Sequence, residues 1–172
     1  IAIGDIPYSL AITRDGTKVY VSKYSARTVV PINTSTNTIG AAIGAGEGIY
    51  TMETTPDGSY VFCVNYFDAS VTRIDTTSNV NNSLAIGANA IEHSLAFLPD
   101  SSLAYIVDND TYDGHVKVVN VSSLSINSTI HTSILRSRNI SISPDGTVGY
   151  LGTKNSTLYK FSLPSFTLVA PI

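Results

Sequence analysis

The sequence predicts an all-β chain: a β-propeller of four-stranded antiparallel blades, four of them within 172 residues. Three observations predict it. A tight turn centred on an aspartate recurs four times at nearly constant spacing. Short runs of β-branched and aromatic residues fill the chain between the turns, and no stretch shows apolar residues at helical spacing. Four strand-like runs per period of 40 to 50 residues is the pattern of propeller blades, each of which buries its faces only by stacking on neighbours.

The turns lie in "ITRDGTKVYVSK", "TTPDGSYVFCVN", "FLPDSSLAYIVD" and "ISPDGTVGYLGT", at Asp15, Asp57, Asp100 and Asp145, with spacings of 42, 43 and 45. Pro presets φ, Asp bonds the backbone ahead of it, and Gly takes φ > 0, so the tetrapeptide specifies a hairpin. In the third copy Ser101 replaces the glycine. An innermost strand A precedes each turn ("YSLAIT", "YTMETT", "HSLAFL", "RNISIS") and strand B follows it ("VYVS" and its equivalents). Strand C is "TVVPI", "SVTRI", "HVKVV" or "TLYKF"; strand D is "TIGAAI", "NSLAI", "NSTI" or "TLVAPI". The blades run over about 5–47, 48–89, 90–133 and 134–172 of a single domain. Five residues after each turn aspartate stands an aromatic (Tyr20, Phe62, Tyr105, Tyr150), expected to pack between blades. Cys63, the single cysteine, is mid-strand and expected as a small buried hydrophobe.

Composition narrows the function classes. Charged residues make up only 13% of the chain, about half the usual share, and Ser, Thr and Asn carry the surface polarity instead. A net charge of −3 argues against nucleic acid as a partner. No apolar run approaches the ~18 residues of a membrane span. Six Asn-x-Ser/Thr sequons begin at Asn33, Asn81, Asn120, Asn127, Asn139 and Asn155; with the low charge they point to an exported, extracellular or cell-surface glycoprotein. The chain opens at Ile1 without an initiator Met, expected of a processed chain or a fragment.

The pattern P-x-x-[AI]-x-[ST]-P-D-G-x-x-x-[YF]-V-x-N, followed by T-V-x-V-I-D-T-x-T-N, resembles the YVTN family of β-propeller repeats. "IDTTSNV" (74–80) and "INTSTNTI" (32–39) resemble its C–D turn. The resemblance covers essentially the whole chain and is strongest in repeats 1 and 2. It departs at Lys23, at Ser101, at the insertion in repeat 3 and at Gly152-Thr153. It implies a surface-layer or secreted propeller, related in shape to lactonase-type rings that usually have seven blades. Four blades then suit three arrangements: a segment of a larger ring, a half-ring pairing with a second copy through its terminal strands, or a complete four-bladed ring.

In such a ring the B–C and D–A loops gather on one face, where ligands bind. Seven residues before the turn aspartates stand Tyr8, Tyr50, His93 and Arg138, with Glu92 and Arg136 beside them. Glu47 is nearby, and Lys23, Tyr24, Arg27, Asn65, Tyr66 and Asp68 are placed on the B–C loops. Aromatics with arginines and a carboxylate suit a sugar-like or anionic ligand; a plain hydrated funnel is the alternative. This ring is a poor divalent-cation cage, and no G-x-S-x-G or H-E-x-x-H motif occurs. No cofactor is expected, calcium on the repeat-3 insertion "DNDTYDG" (Asp108, Asp110, Asp113) being the one candidate against a solvated turn. His115 and His131 are expected to be exposed on separate loops or strand edges.

The functional expectation is a non-catalytic surface module that contacts protein or glycan. The alternatives are a lactonase- or lyase-like enzyme using His93, Arg138 and Glu92, or a repeat unit of an extracellular filament or sheet that self-associates through its terminal strands.

Overall fold

A computed structural model describes residues 1–87, 94–108, 114–132, 137–153 and 156–171. The described residues form sixteen strands and no helix. The first eight are β1 (Pro7–Ile12), β2 (Lys18–Lys23), β3 (Thr28–Asn33), β4 (Ile43–Gly44), β5 (Ile49–Thr54), β6 (Tyr60–Asn65), β7 (Ser70–Asp75) and β8 (Asn81–Ala85). They are followed by β9 (Leu95–Phe97), β10 (Leu103–Asp108), β11 (His115–Asn120), β12 (Ser125–His131), β13 (Ser137–Ile142), β14 (Val148–Thr153), β15 (Leu158–Ser162) and β16 (Thr167–Pro171). They make four separate four-stranded antiparallel sheets, each taking four consecutive strands in order. Four meander blades are therefore present, as the period predicts. Contacts cluster in two compact units of two blades each, Ile1–Gly87 and Ala88–Ile172.

The A–B turns show why this motif recurs. In the first, Gly16 N–H donates to Thr13 O at 2.8 Å, and Asp15 Oδ1 accepts from Thr13 Oγ1 (2.6 Å) and from Thr17 N–H (3.0 Å). The same bonds recur at Asp57, from Thr55 Oγ1 at 2.5 Å and Ser59 N–H at 3.0 Å, and at Asp145, from Ser143 Oγ at 2.5 Å and Thr147 N–H at 3.0 Å. The carboxylate thus closes the loop on both sides, which explains Ser or Thr at the flanking positions. Ser101, lacking glycine's freedom, still adopts φ +61° and keeps the turn. The C–D turns use a second local device. Asp75 Oδ1 accepts from Thr77 and Ser78 N–H, Asn33 Oδ1 from Ser35 and Thr36 N–H, and the residue four positions on is left-handed in all four blades: Asn37, Asn79, Leu124 and Phe166.

Within each unit the two blades pack through residues of both sheets. In the first unit Ala11, Tyr20, Val29 and Ile43 meet Ile49, Met52, Val61, Cys63 and Ile74 in one buried cluster. In the second, Ala96, Tyr105, Val107, Val116 and Val118 meet Ile140, Leu151, Phe161 and Phe166. Tyr20 and Tyr105 therefore lie between blades, as expected; Phe62 is fully buried, and Tyr150 only half-buried. Cys63 is buried, and that burial pushes its thiol up to about 12, which suits a packing role. Each unit also has a polar stitch between its own two blades. Ser9 Oγ on β1 accepts from Met52 N–H of β5 at 3.0 Å, and Ser94 Oγ, just before β9, accepts from Ile140 N–H of β13 at 2.9 Å.

Three details differ from the sequence expectation. Strand D of the first blade shrinks to Ile43–Gly44 plus a bridge from Ile32 to Ile39. Pro31 in β3 has no N–H to donate, and its ring requires Gly40, where a Cβ would lie 2.9 Å from Pro31 Cγ. Residues 1–4, whose "IAIG" repeats the "AAIG" of residues 41–44 and so matches the phase of strand D, lie outside any strand. Asn65, expected on the B–C loop, is the last residue of β6 and fully buried; its amide donates to Ser70 Oγ and Thr72 Oγ1 at 3.0 and 2.9 Å.

Candidate functional site

The loops that follow strands B and D in the first unit bring five aromatic rings together. Tyr8 opens β1 and Tyr50 opens β5, while Tyr24 follows β2 and Tyr66-Phe67 follow β6. Backbone bonds hold these loops in register: Tyr24 N–H donates to Ile6 O (3.1 Å), Tyr66 N–H to Gly48 O (2.8 Å) and Phe67 N–H to Glu47 O (3.1 Å). Gly48 adopts φ +71°, and a Cβ there would lie 2.7 Å from Phe67 Cδ2, so glycine is what lets the ring settle on this loop.

Tyr50 is the hub. Its ring lies edge-on to Tyr8 at 4.8 Å, Tyr66 at 5.4 Å, Tyr24 at 5.9 Å and Phe67 at 6.5 Å between centroids. Tyr8 and Tyr24 are tilted against each other at 5.4 Å, and Tyr66 meets Phe67 edge-on at 4.9 Å. The Tyr24 and Tyr50 hydroxyls stand 3.4 Å apart, and this shared hydrogen bond raises the Tyr50 phenol to about 12. The cluster is open: Tyr8 is 52% and Phe67 55% exposed. At its edge Arg27 forms an ion pair with Glu47, whose N–H donates to Asp68 Oδ2 at 2.7 Å. The local charges are thus largely balanced, and the surface on offer is edges and faces of phenol rings with hydroxyls beside them. Such a surface can stack on sugar rings and bond their hydroxyls; it holds no nucleophile–base pair.

Of the expected ligand residues, Tyr8 and Tyr50 are brought together here with Tyr24, Tyr66, Arg27, Glu47 and Asp68. Arg138 is exposed on β13 in the other unit. His93, Glu92 and Arg136 lie outside the described residues, as do Asp110 and Asp113 of the calcium candidate. Asp108 ends β10, opposite His115 of β11. Among the described residues no three His, Cys, Asp or Glu side chains converge as a metal cluster. Of the sequons, Asn33, Asn81, Asn127 and Asn139 are exposed, Asn120 is half-buried and Asn155 lies outside the described residues. Phe67 was missing from the expected set; its place beside Tyr66 on a B–C loop was the available signal.

The histidines correct the sequence reading. His115 and His131 do not stand apart: they lie at the ends of the adjacent strands β11 and β12 and face each other across the ladder, with His115 Nε2 and His131 Nδ1 2.9 Å apart. A one-residue shift in the ladder between Val118 and Val119 creates this pairing.

No family model and no curated protein matches the sequence. The structure is similar to hydrazine synthase of Kuenenia stuttgartiensis, with a TM-score of 0.84 at 20% identity over 99% of this chain. The chain spans 51% of that protein's length. At this identity the likeness shows the fold alone: a β-propeller-like all-β architecture.

Proposed function

We propose that the chain is a non-catalytic extracellular or cell-surface binding module of YVTN type, and that it engages glycans through the aromatic cluster around Tyr50. One observation carries this reading: five rings packed edge-on, open at Tyr8 and Phe67, on loops held by backbone bonds and an ion pair. The packing against Tyr50 fixes the orientation of the exposed Tyr8 and Phe67 rings, so a pyranose meets a preformed surface and little ordering entropy is lost. The exposed sequons and the low charge support an exported glycoprotein.

The test is retention of the full chain on immobilised polysaccharides, by affinity electrophoresis, against Tyr8→Ala and Phe67→Ala. Binding that weakens by about tenfold or more in each variant, with an unchanged unfolding midpoint, is the expected result; a double variant that binds as tightly as the parent would refute the assignment. Each stacked ring carries ~1–2 kcal/mol by analogy with other aromatic contacts, hence the tenfold.

A second reading has its own observation. On β1, beyond the bulge that precedes Leu10, Leu10 and Ile12 share one face and are 63% and 57% exposed, while Ala11 on the other face is buried against the next blade. An apolar sheet face of this kind is what a neighbouring blade normally covers. It supports a ring in which a further blade covers β1, as in a segment of a larger propeller, a half-ring meeting a second copy, or a complete four-bladed ring. Light scattering separates the half-ring, a dimer, from the other two, which are monomers.

A further inference from the structure

Away from the aromatic cluster, the second unit carries an arrangement that neither the fold nor glycan binding uses. His115 on β11 and His131 on β12 are a directly opposed cross-strand pair, their rings at 81° and 4.5 Å between centroids. His115 Nε2 and His131 Nδ1 stand 2.9 Å apart, with His115 half-buried and His131 exposed. Two imidazole nitrogens bound to one metal at ~2.05 Å each are ~2.9 Å apart when cis at a right angle and ~3.3 Å apart in a tetrahedral site. The hydrogen bond between the rings already accounts for the observed separation; it shows that the fold can bring both nitrogens within the span of one metal.

We propose that His115 and His131 form a two-imidazole site for a late first-row transition dication, Cu²⁺ foremost and Ni²⁺ next. Imidazole is a ligand both ions favour, and the affinity of a nitrogen site rises through Ni²⁺ to a maximum at Cu²⁺ before falling at Zn²⁺. The backbone at the site is already ordered. Thr132 N–H and Oγ1 both donate to Gly114 O, at 2.8 and 2.6 Å, closing the ladder one residue beyond the pair, and Val116 pairs with Ile130 on its other side. Little strand ordering remains to be done on binding. In the metal-free pair one ring nitrogen donates its proton to the other. A metal needs a lone pair from both, so the donating ring binds in its other tautomer and carries the proton on its far nitrogen. Water completes the coordination.

Lys117, two residues along β11 on the same face as His115, is a nearby charge that opposes a dication, its amine donating to Thr129 Oγ1 at 3.4 Å. A hard ion such as Mg²⁺ gains nothing from imidazole, so the site discriminates by ligand type. Occupied, it ties the outermost strand of the third blade to its neighbour.

The experiment is titration of the full chain with CuCl₂, NiCl₂, ZnCl₂ and MgCl₂ at pH 7.5, followed by calorimetry, thermal unfolding and, for Cu²⁺, electron paramagnetic resonance. His115→Gln and His131→Gln are compared with the parent. The expected result is one Cu²⁺ per chain, a raised unfolding midpoint, nitrogen hyperfine structure from two imidazoles, and affinity in the order Cu²⁺ > Ni²⁺ > Zn²⁺ with none for Mg²⁺. Either substitution should weaken Cu²⁺ by at least about tenfold, the loss typical of disturbing even the groups behind a ligand, and reduce the hyperfine pattern to one nitrogen. Because His131 is exposed, its variant should keep the metal-free unfolding midpoint of the parent. Cu²⁺ affinity and spectrum unchanged in either variant, or a one-nitrogen spectrum in the parent, would overturn the proposal.

Discussion

Tyr20 and Tyr105 occupy the same place in blades one and three, yet their hydroxyls have opposite fates, and paired Tyr→Phe substitutions should show it. Tyr20 Oη donates to Asn79 Oδ1 at 2.8 Å and reaches Thr76 O at 3.3 Å. In the second unit the residue equivalent to Asn79 is Phe166, which stacks on Tyr105 at 6.0 Å and 21° and offers no acceptor. Tyr105 Oη is buried without a hydrogen-bond partner. Deleting the Tyr20 hydroxyl removes a neutral hydrogen bond, and half-buried Asn79 can recover part of it from water, so the cost is ~1 kcal/mol. Deleting the Tyr105 hydroxyl removes a buried polar atom that costs ~1–3 kcal/mol to desolvate. Against that stands only the small void it leaves, so Tyr105→Phe should be neutral or stabilising by up to ~1.5 kcal/mol. Urea unfolding followed by circular dichroism measures both, and equal m-values license the comparison. The midpoints should move in opposite directions, or Tyr105→Phe not at all. A loss of ~1 kcal/mol or more in Tyr105→Phe would mean that its hydroxyl has a partner, and the contrast between Asn79 and Phe166 would no longer explain the pair.

Other expectations follow from the same contacts. Gly46→Ala should destabilise by ~1–3 kcal/mol, because a Cβ would lie 2.6 Å from Asn65 Cγ and Asn65 is fully buried; chemical denaturation checks this, and Gly44→Ala, whose Cβ would meet only Asn81 Nδ2 at 3.8 Å, is the control. Ser9→Ala and Ser94→Ala should each cost ~1–3 kcal/mol by leaving the Met52 or Ile140 N–H without its acceptor, read as a lowered urea midpoint. Bonds from Ser143, and then from Thr147, depress the Asp145 carboxyl to about 2. The depressed value means its contribution to stability is complete above the ordinary carboxyl range near 3.8 and is lost as pH falls toward 2. Asp145→Asn should therefore lower stability at pH 7 and flatten its dependence on pH between 4 and 2, as followed by acid titration of the unfolding midpoint.

What the sequence determined by itself is local. Each A–B turn closes through an aspartate bonded to the residue two positions on, and in three of the four copies to a hydroxyl two positions back as well, so its residues name their own conformation wherever they occur. Repetition of that turn at a blade-length period then predicts four meander sheets, and the aromatic five residues on alternates correctly into the interior in three copies. Tyr8 and Tyr50 were legible as neighbours for the same reason: equal phase in adjacent repeats.

Tertiary structure decided whatever hangs on one residue of register or on a partner blade. Counted straight back from the C–D turn, His115 would face Ile130, and His131 would fall on the other face; the shift at Val118 and Val119 moves every later pair by one and brings the two rings together. Asn65 follows a strand in a motif that suggested a loop, but the β6–β7 ladder extends to Asn65 and Ser70 and draws its amide inside. Tyr20 and Tyr105 are the same residue in the same repeat position. Whether the hydroxyl is satisfied depends on the residue that the next blade sets against it, Asn79 in one case and Phe166 in the other, and that pairing belongs to packing between blades that no local pattern encodes.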